Sequence, residues 1–187
     1  RYRLICDMGA DAVVAGHTHC PQGYEVYDGK PIVYSMGNFL FKSSSERSAN
    51  DSWYYGYMTE LDIDKSGIVF CTIPYKFNSE ATRITVFEGD EKRRMLRYID
   101  SLSEIIKDPK LLDNYFSGWA YLHKWVTQAP ANYFDLKEYN SSGNYNLISC
   151  ESHLSQAKKV LEFCFLDRVA EAKEWSEKVA ELTRMPV

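Results

Sequence analysis

The sequence predicts an α/β fold, on three observations. A short apolar run, Ala12-Val13-Val14-Ala15, leads directly into Gly16-His17-Thr18-His19. Two stretches rich in aromatic and β-branched residues, Tyr54 to Ile63 and Ile68 to Tyr75, flank the turn-forming Asp64-Lys65-Ser66-Gly67. From Asp90 onward the apolar period changes to three and four residues, which is helical. Strands followed by helices give a sheet-bearing portion over 1–88 and a helical extension over 89–187.

Each element follows from local chemistry. Arg1 to Met8 reads as the tail of a helix ending near Gly9, and Ala12 to Ala15 as a short strand. Gly23 to Tyr27 and Pro31 to Ser35 read as two strands joined by a turn at Asp28-Gly29-Lys30. Lys42 to Ser52 is polar and without period, so it is an exposed loop, placed to serve as a mobile rim or lid for the segment before it. In the next strand Tyr55, Tyr57, Thr59, Leu61 and Ile63 alternate onto one face. Its tyrosines suit cross-strand packing better than a carbohydrate platform. Arg83 to Phe87 is a third strand of the same sheet.

In the helical half, Met95, Ile99, Leu102 and Ile106 mark one amphipathic helix. Leu112, Tyr115, Trp119, Leu122 and Val126 mark a second, opened by Asp108-Pro109. Residues 128–145 are loop-like. A last helix or helix pair runs from near Ser149 to about Thr183, with Leu154, Leu161, Phe165, Val169 and Leu182 expected inside.

Composition bounds the function. With 187 residues, 45% hydrophobic and 14% aromatic, the chain can bury a sizeable core. A net charge of -4 with no basic stripe argues against a nucleic-acid partner. No stretch approaches the roughly 18 apolar residues of a membrane span, so no membrane segment is expected in this region. The five cysteines, Cys6, Cys20, Cys71, Cys150 and Cys164, form no C-x-x-C pair, which favours a reducing, cytoplasmic setting. An extracellular or membrane-anchored placement stays open, because the chain starts at Arg1 without an initiating Met.

His17 and His19 carry the chemical signal. Two of the four histidines sit two residues apart just past a strand end, where alternate side chains point the same way. Neutral imidazole is a common ligand of zinc, iron and manganese, and Gly16 is expected to let the backbone turn sharply before the pair. A catalytic ion needs about three protein ligands, so the pair alone is incomplete. Cys20 is a minor candidate as a thiolate beside them. His123 reads as a packing histidine, and Cys150-Glu151-Ser152-His153 as a helix cap, with His153 a weak ligand candidate.

Taken together, residues 9–23 and 25–41 resemble the bacterial capsule-synthesis family, the poly-gamma-glutamate biosynthesis proteins, a branch of the calcineurin-like metallophosphoesterases. A looser likeness runs from Trp53 to Phe77 and through the helices. The resemblance implies the C-terminal portion of an α/β/β/α sandwich with an antiparallel sheet, followed by a helical extension. It implies that His17 and His19 each ligate one of two divalent ions, Mn, Fe or Zn, in the intact protein. Gln22 and Asn38 match segments lying near that site and are candidate substrate-facing catalytic groups; as residues alone, both also suit turn and loop bracing.

The family places its other ligands upstream: an Asp and a His after the first strand, an Asp in a Gly-Asp segment, an Asn-His pair and a further His. None has a counterpart here. The chain is therefore expected to be the C-terminal part of a longer protein, with the missing N-terminal part of the same domain as a partner, and inactive by itself. The expected activity of the whole is metal-dependent hydrolysis of a small-molecule or polymer substrate. The alternatives are a non-catalytic assembly or binding subunit that keeps the scaffold, and a purely structural remnant.

Overall fold

The computed structural model describes residues 1–128 and 149–186. The loop expected over 128–145 therefore lies, from residue 129 on, outside the described residues. The fold is α/β, as predicted, with antiparallel strand pairing and C-terminal helices. Two compact units are present, Arg1–Pro109 with Thr183–Val187, and Lys110–Leu182.

In the first unit, α1 (Tyr2–Asp7) precedes β1 (Val13–Val14), β2 (Tyr24–Tyr27) and β3 (Lys30–Val33), which form a sheet in the order β1-β3-β2. β1 runs parallel to β3, and β2 antiparallel to it. Asp28 and Gly29 join β2 to β3 with φ of 51° and 74°, the paired positive values a two-residue type I′ turn demands. Lys30 therefore belongs to β3 rather than to the turn.

The second sheet is an antiparallel meander, β4 (Tyr55–Asp64), β5 (Gly67–Phe77) and β6 (Ile84–Val86), entered through a 3-10 turn over Ser52–Tyr54. Only the near half of the β4–β5 hairpin is core. Tyr55, Tyr57, Tyr75 and Phe77 are buried, whereas Leu61 is half-buried and Ile63 exposed, so the expected alternation stops where the hairpin outruns the body beneath it. The buried tyrosines pack rather than form an open platform.

Helix α2 (Gly89–Lys107) packs with these sheets. Met95 and Ile99 join Val33, Tyr57, Tyr75 and Phe87 in one core cluster, and Ser103 accepts the Tyr24 amide at 3.0 Å. The division between units thus falls near Pro109 rather than after residue 88, because the apolar face of α2 has its partners in the strands. The tail also returns to this unit: Met185 is in the same cluster, and Arg94 donates to the Pro186 carbonyl at 2.9 Å.

Buried Glu25 joins β2 to α1. It takes Nη2 of Arg3 at 2.6 Å and the Tyr34 hydroxyl at 2.6 Å. The Arg3 guanidinium, helped by Tyr34, holds the Glu25 carboxyl below its ordinary range against the opposing effect of burial. Burial, with the bond to the Glu25 carboxylate, pushes the Tyr34 phenol up to about 12.

The second unit contains α3 (Pro109–Leu122), α4 (Trp125–Gln128), α5 (Glu151–Phe165) and α6 (Val169–Leu182). The last two are the predicted helix pair, separated at Asp167 with φ 55°. Their buried faces differ from the expected stripes. Leu112, Leu122, Leu154, Leu161, Phe165 and Val169 are exposed, while Ser117, Gly118, Ala120, Gln156, Lys159, Ala172 and Ser176 are buried. Two interactions explain the change. At Gly118 an added Cβ would stand 2.5 Å from the Trp175 carbonyl, so α3 and α6 meet backbone to backbone on small residues. The buried polar groups are paired, Lys159 with Asp113 at 2.6 Å and Gln156 with the His123 carbonyl at 2.6 Å. Val126 lies in α4, beyond the second stripe's helix.

Two measurements test this packing. Gly-to-Ala in a helix ordinarily stabilises by roughly 0.5–1 kcal/mol; Gly118→Ala is expected to destabilise, read as a lower urea midpoint by far-ultraviolet circular dichroism, and a raised midpoint would contradict the seam. The folded pKa of Glu25 lies below its unfolded value, so its contribution is present above the usual carboxylate range and lost as pH falls through the lowered value. Urea midpoints of wild type and Arg3→Met should accordingly differ near pH 7 and by less near pH 3, on either side of the carboxylate range of about 4. An equal gap at both would refute the linkage.

Candidate functional site

The histidine loop leaves the end of β1, where the Ala15 amide still bonds the Val33 carbonyl at 2.8 Å. Beyond it the backbone turns at the histidines themselves: His17 has φ 85° and His19 φ 60°, whereas Gly16 is not among the positive-φ residues. The turn expected of Gly16 is thus carried by two residues that rarely adopt that conformation. The two rings lie 6.2 Å apart between centroids, tilted by 41°. His17 is exposed and His19 half-buried.

Around His19 the structure builds a cradle. Its ring stacks on Trp53 at 4.8 Å with an interplanar angle of 14°, and Phe41 meets it edge-on at 4.8 Å. Nδ1 of His19 is 2.7 Å from Oδ1 of Asn38. Asn38, 6% exposed, also donates through Nδ2 to the carbonyls of His19 at 3.3 Å and Trp53 at 3.1 Å, and its own carbonyl accepts the Tyr75 hydroxyl at 2.9 Å. Burial pushes the Tyr75 phenol up to about 12, so it remains a donor.

Gln22 is half-buried on the strand side of the loop. Its backbone is tied at both ends, the amide to the Ser35 carbonyl at 2.9 Å and the carbonyl to the Tyr57 hydroxyl at 2.8 Å. The structure thus gathers His17, His19 and Asn38 into one cluster, with Gln22 on the adjoining segment. The loop over 42–52 is mostly exposed, yet Arg47 anchors it. Its Nε donates to Ser43 at 2.8 Å, its Nη1 pairs with Asp51 at 3.2 Å, and its guanidinium lies 4.2 Å from the Trp53 ring centroid.

Other candidates stand apart from this cluster. Burial pushes the Cys20 thiol up, against the opposing effect of its hydrogen bond with Thr18, which disfavours a thiolate there. His123 packs on Trp119 with Nδ1 2.9 Å from that residue's carbonyl, as a packing histidine should. Cys150 precedes α5, where the Ser152 hydroxyl and backbone amides hold its thiol low; His153 is half-buried with Nδ1 unpartnered among the described residues. Among the described residues no three His, Cys, Asp or Glu side chains are grouped to hold an ion, and no helix is long and apolar enough to cross a membrane.

Trp53, Phe41 and Tyr75 escape sequence reasoning. Their aromatic character is visible, but their spacing relative to His19 carries no period that would link them.

The cradle rests on Gly37, whose φ is +81° and whose added Cβ would sit 2.7 Å from the Tyr55 carbonyl. Gly37→Ala is expected to cost at least about 1–3 kcal/mol, the usual cost of a strained backbone. Denaturant melts read this directly, and a loss within experimental error of zero would overturn it.

Residues 2–43 match the model of a family described as bacterial capsule synthesis protein PGA_cap. The PGA biosynthesis protein CapA of Bacillus subtilis (strain 168) is 40% identical over 50 residues, 27% of this chain and 13% of that protein. The capsule biosynthesis protein CapA of Bacillus anthracis is 36% identical over 50 residues, 27% of this chain and 12% of that protein. An uncharacterized protein, y4sH, of Sinorhizobium fredii is 46% identical over 39 residues, 21% of this chain and 8% of that protein. The match thus spans only about an eighth of the length of the first two relatives. The stretch that holds His17, His19, Gln22 and Asn38 is the stretch through which this chain resembles the bacterial capsule-biosynthesis proteins.

Proposed function

We propose that the His17–His19 loop is the metal-ligating edge of a two-ion hydrolase centre of the metallophosphoesterase type, in a bacterial capsule or poly-gamma-glutamate biosynthesis protein. The observation that carries the reading is the placement of two imidazoles side by side in left-handed backbone, with His19 clamped by Asn38, Trp53 and Phe41.

The residues fit such a group in donor chemistry. Both are nitrogen donors suited to Mn, Fe or Zn. Their rings stand side by side, with centroids 6.2 Å apart. The remaining ligands are assigned to parts of the whole protein outside this stretch, in keeping with relatives about twice the length of this chain.

The chemistry such ions supply when bound is activation of water and stabilisation of charge on a phosphoryl or similar oxygen. This chain's residues hold and orient. His17 and His19 each present a ring nitrogen, Asn38 sets the His19 ring, and Gln22, with its backbone tied, is left as the substrate-facing side chain. The substrate is a phosphate ester or a bond made or cut during capsule production.

The test uses the full-length protein. His17→Ala and His19→Ala should each weaken metal binding by more than the about 10–100-fold that changes to supporting groups cost, measured as metal content after dialysis. Hydrolysis of bis-(p-nitrophenyl) phosphate should fall with it. Unchanged metal content and turnover in both variants would sink the reading and leave the non-catalytic subunit in its place.

A further inference from the structure

We infer that Asn38 is a positioning residue that holds His19 in the Nδ1–H tautomer and leaves Nε2 as the bare, accepting nitrogen of that ring. The inference begins with the amide. Nδ2 of Asn38 faces two carbonyl oxygens, of His19 at 3.3 Å and of Trp53 at 3.1 Å. A carbonyl oxygen only accepts, so reversing the amide would set Oδ1 against both and lose two hydrogen bonds. Oδ1 is therefore the atom 2.7 Å from Nδ1 of His19. Because Oδ1 also only accepts, Nδ1 must carry the proton, and a neutral imidazole has one such proton. The remaining freedom, a half-turn of the imidazole within its own plane, would set a ring carbon against Oδ1 and lose this bond as well. Asn38 cannot withdraw easily: it is buried, and Tyr75 holds its carbonyl.

Asn38 thereby acquires a role other than contact with substrate. Its amide acts through His19, and the cost of removing it is a change in which ring nitrogen can accept. The inference deepens the metal-centre reading, since a ligating imidazole almost always gives its second N–H to such an acceptor. The tautomer itself, however, is a property of this chain without any ion.

Long-range proton–nitrogen correlation spectra of the nitrogen-15-labelled chain test it, recorded near pH 8, above the ordinary histidine range of about 6.5. With four histidines the spectrum is simple, and His19→Gln assigns the signal. His19 should show a protonated Nδ1 and an unprotonated Nε2, the reverse of the tautomer that dominates for histidine free in water. Asn38→Leu should return it to the free-water preference. Asn38→Asp, which restores the acceptor but not the two donors, should keep Nδ1–H even as it lowers the melting temperature. The His123 signal should stay unchanged in both variants.

A protonated Nε2 on His19 in the wild-type chain would overturn the inference whatever the variants do. So would an unchanged tautomer in a folded Asn38→Leu. The metal content of the full-length protein separates the two claims: Nδ1–H on His19 together with unchanged metal content in full-length His19→Ala would count against the metal reading and leave the positioning role standing.

Discussion

The first unit depends on how closely two backbones approach where Gly37 meets Gly56. The two residues bridge the sheets, and the neighbouring Tyr57 amide bonds the Met36 carbonyl at 2.9 Å. A Cβ on Gly56 would stand 2.6 Å from the Tyr75 hydroxyl and 2.7 Å from the Met36 carbonyl; one on Gly37 would strike the Tyr55 carbonyl. With no side chain on either, the strand leaving β3 lies against β4 closely enough that Tyr75 reaches the Asn38 carbonyl. Asn38 can then face His19 from a buried position. The site is a consequence of a packing contact, and that contact requires two glycines.

Where a pattern was written in local chemistry, the sequence was legible. Strands β4 and β5 followed from their β-branched and aromatic content, and the Asp28-Gly29 turn from the positive φ that only a few residue types accept. The helices were legible as helices, yet their faces were not. Leu161 and Phe165 carry the apolar signal but lie exposed, while Lys159 and Gln156 are inside. Periodicity assumes that burial tracks hydrophobicity. In α3 and α6 it tracks size instead, because the seam at Gly118 admits only small groups, and pairing lets polar ones in.

The site divides in the same way. His17 and His19 stood out because two imidazoles two residues apart after a strand end can face one site, a signal that gained its weight from the family likeness of the residues around it. Asn38 could be singled out only through family likeness, and its identity as a turn residue after Gly37 hid what its side chain does. The Trp53 ring that stacks on His19 lies 34 positions later in the chain, across the loop that Arg47 pins. No local rule connects residues so far apart; the connection exists only once the strands pair.

The backbone at the histidines gives the reason this geometry is informative. A non-glycine residue in the left-handed region costs on the order of 1–3 kcal/mol and persists only where its surroundings over-determine it. For His19 those surroundings are visible: the Asn38 amide on its carbonyl and the Trp53 stack on its ring. His17, exposed and with φ 85°, shares the strain with far less to hold it. The strain at His17 thus coincides with the placement of its ring 6.2 Å from that of His19, and packing around an exposed residue does not by itself require it.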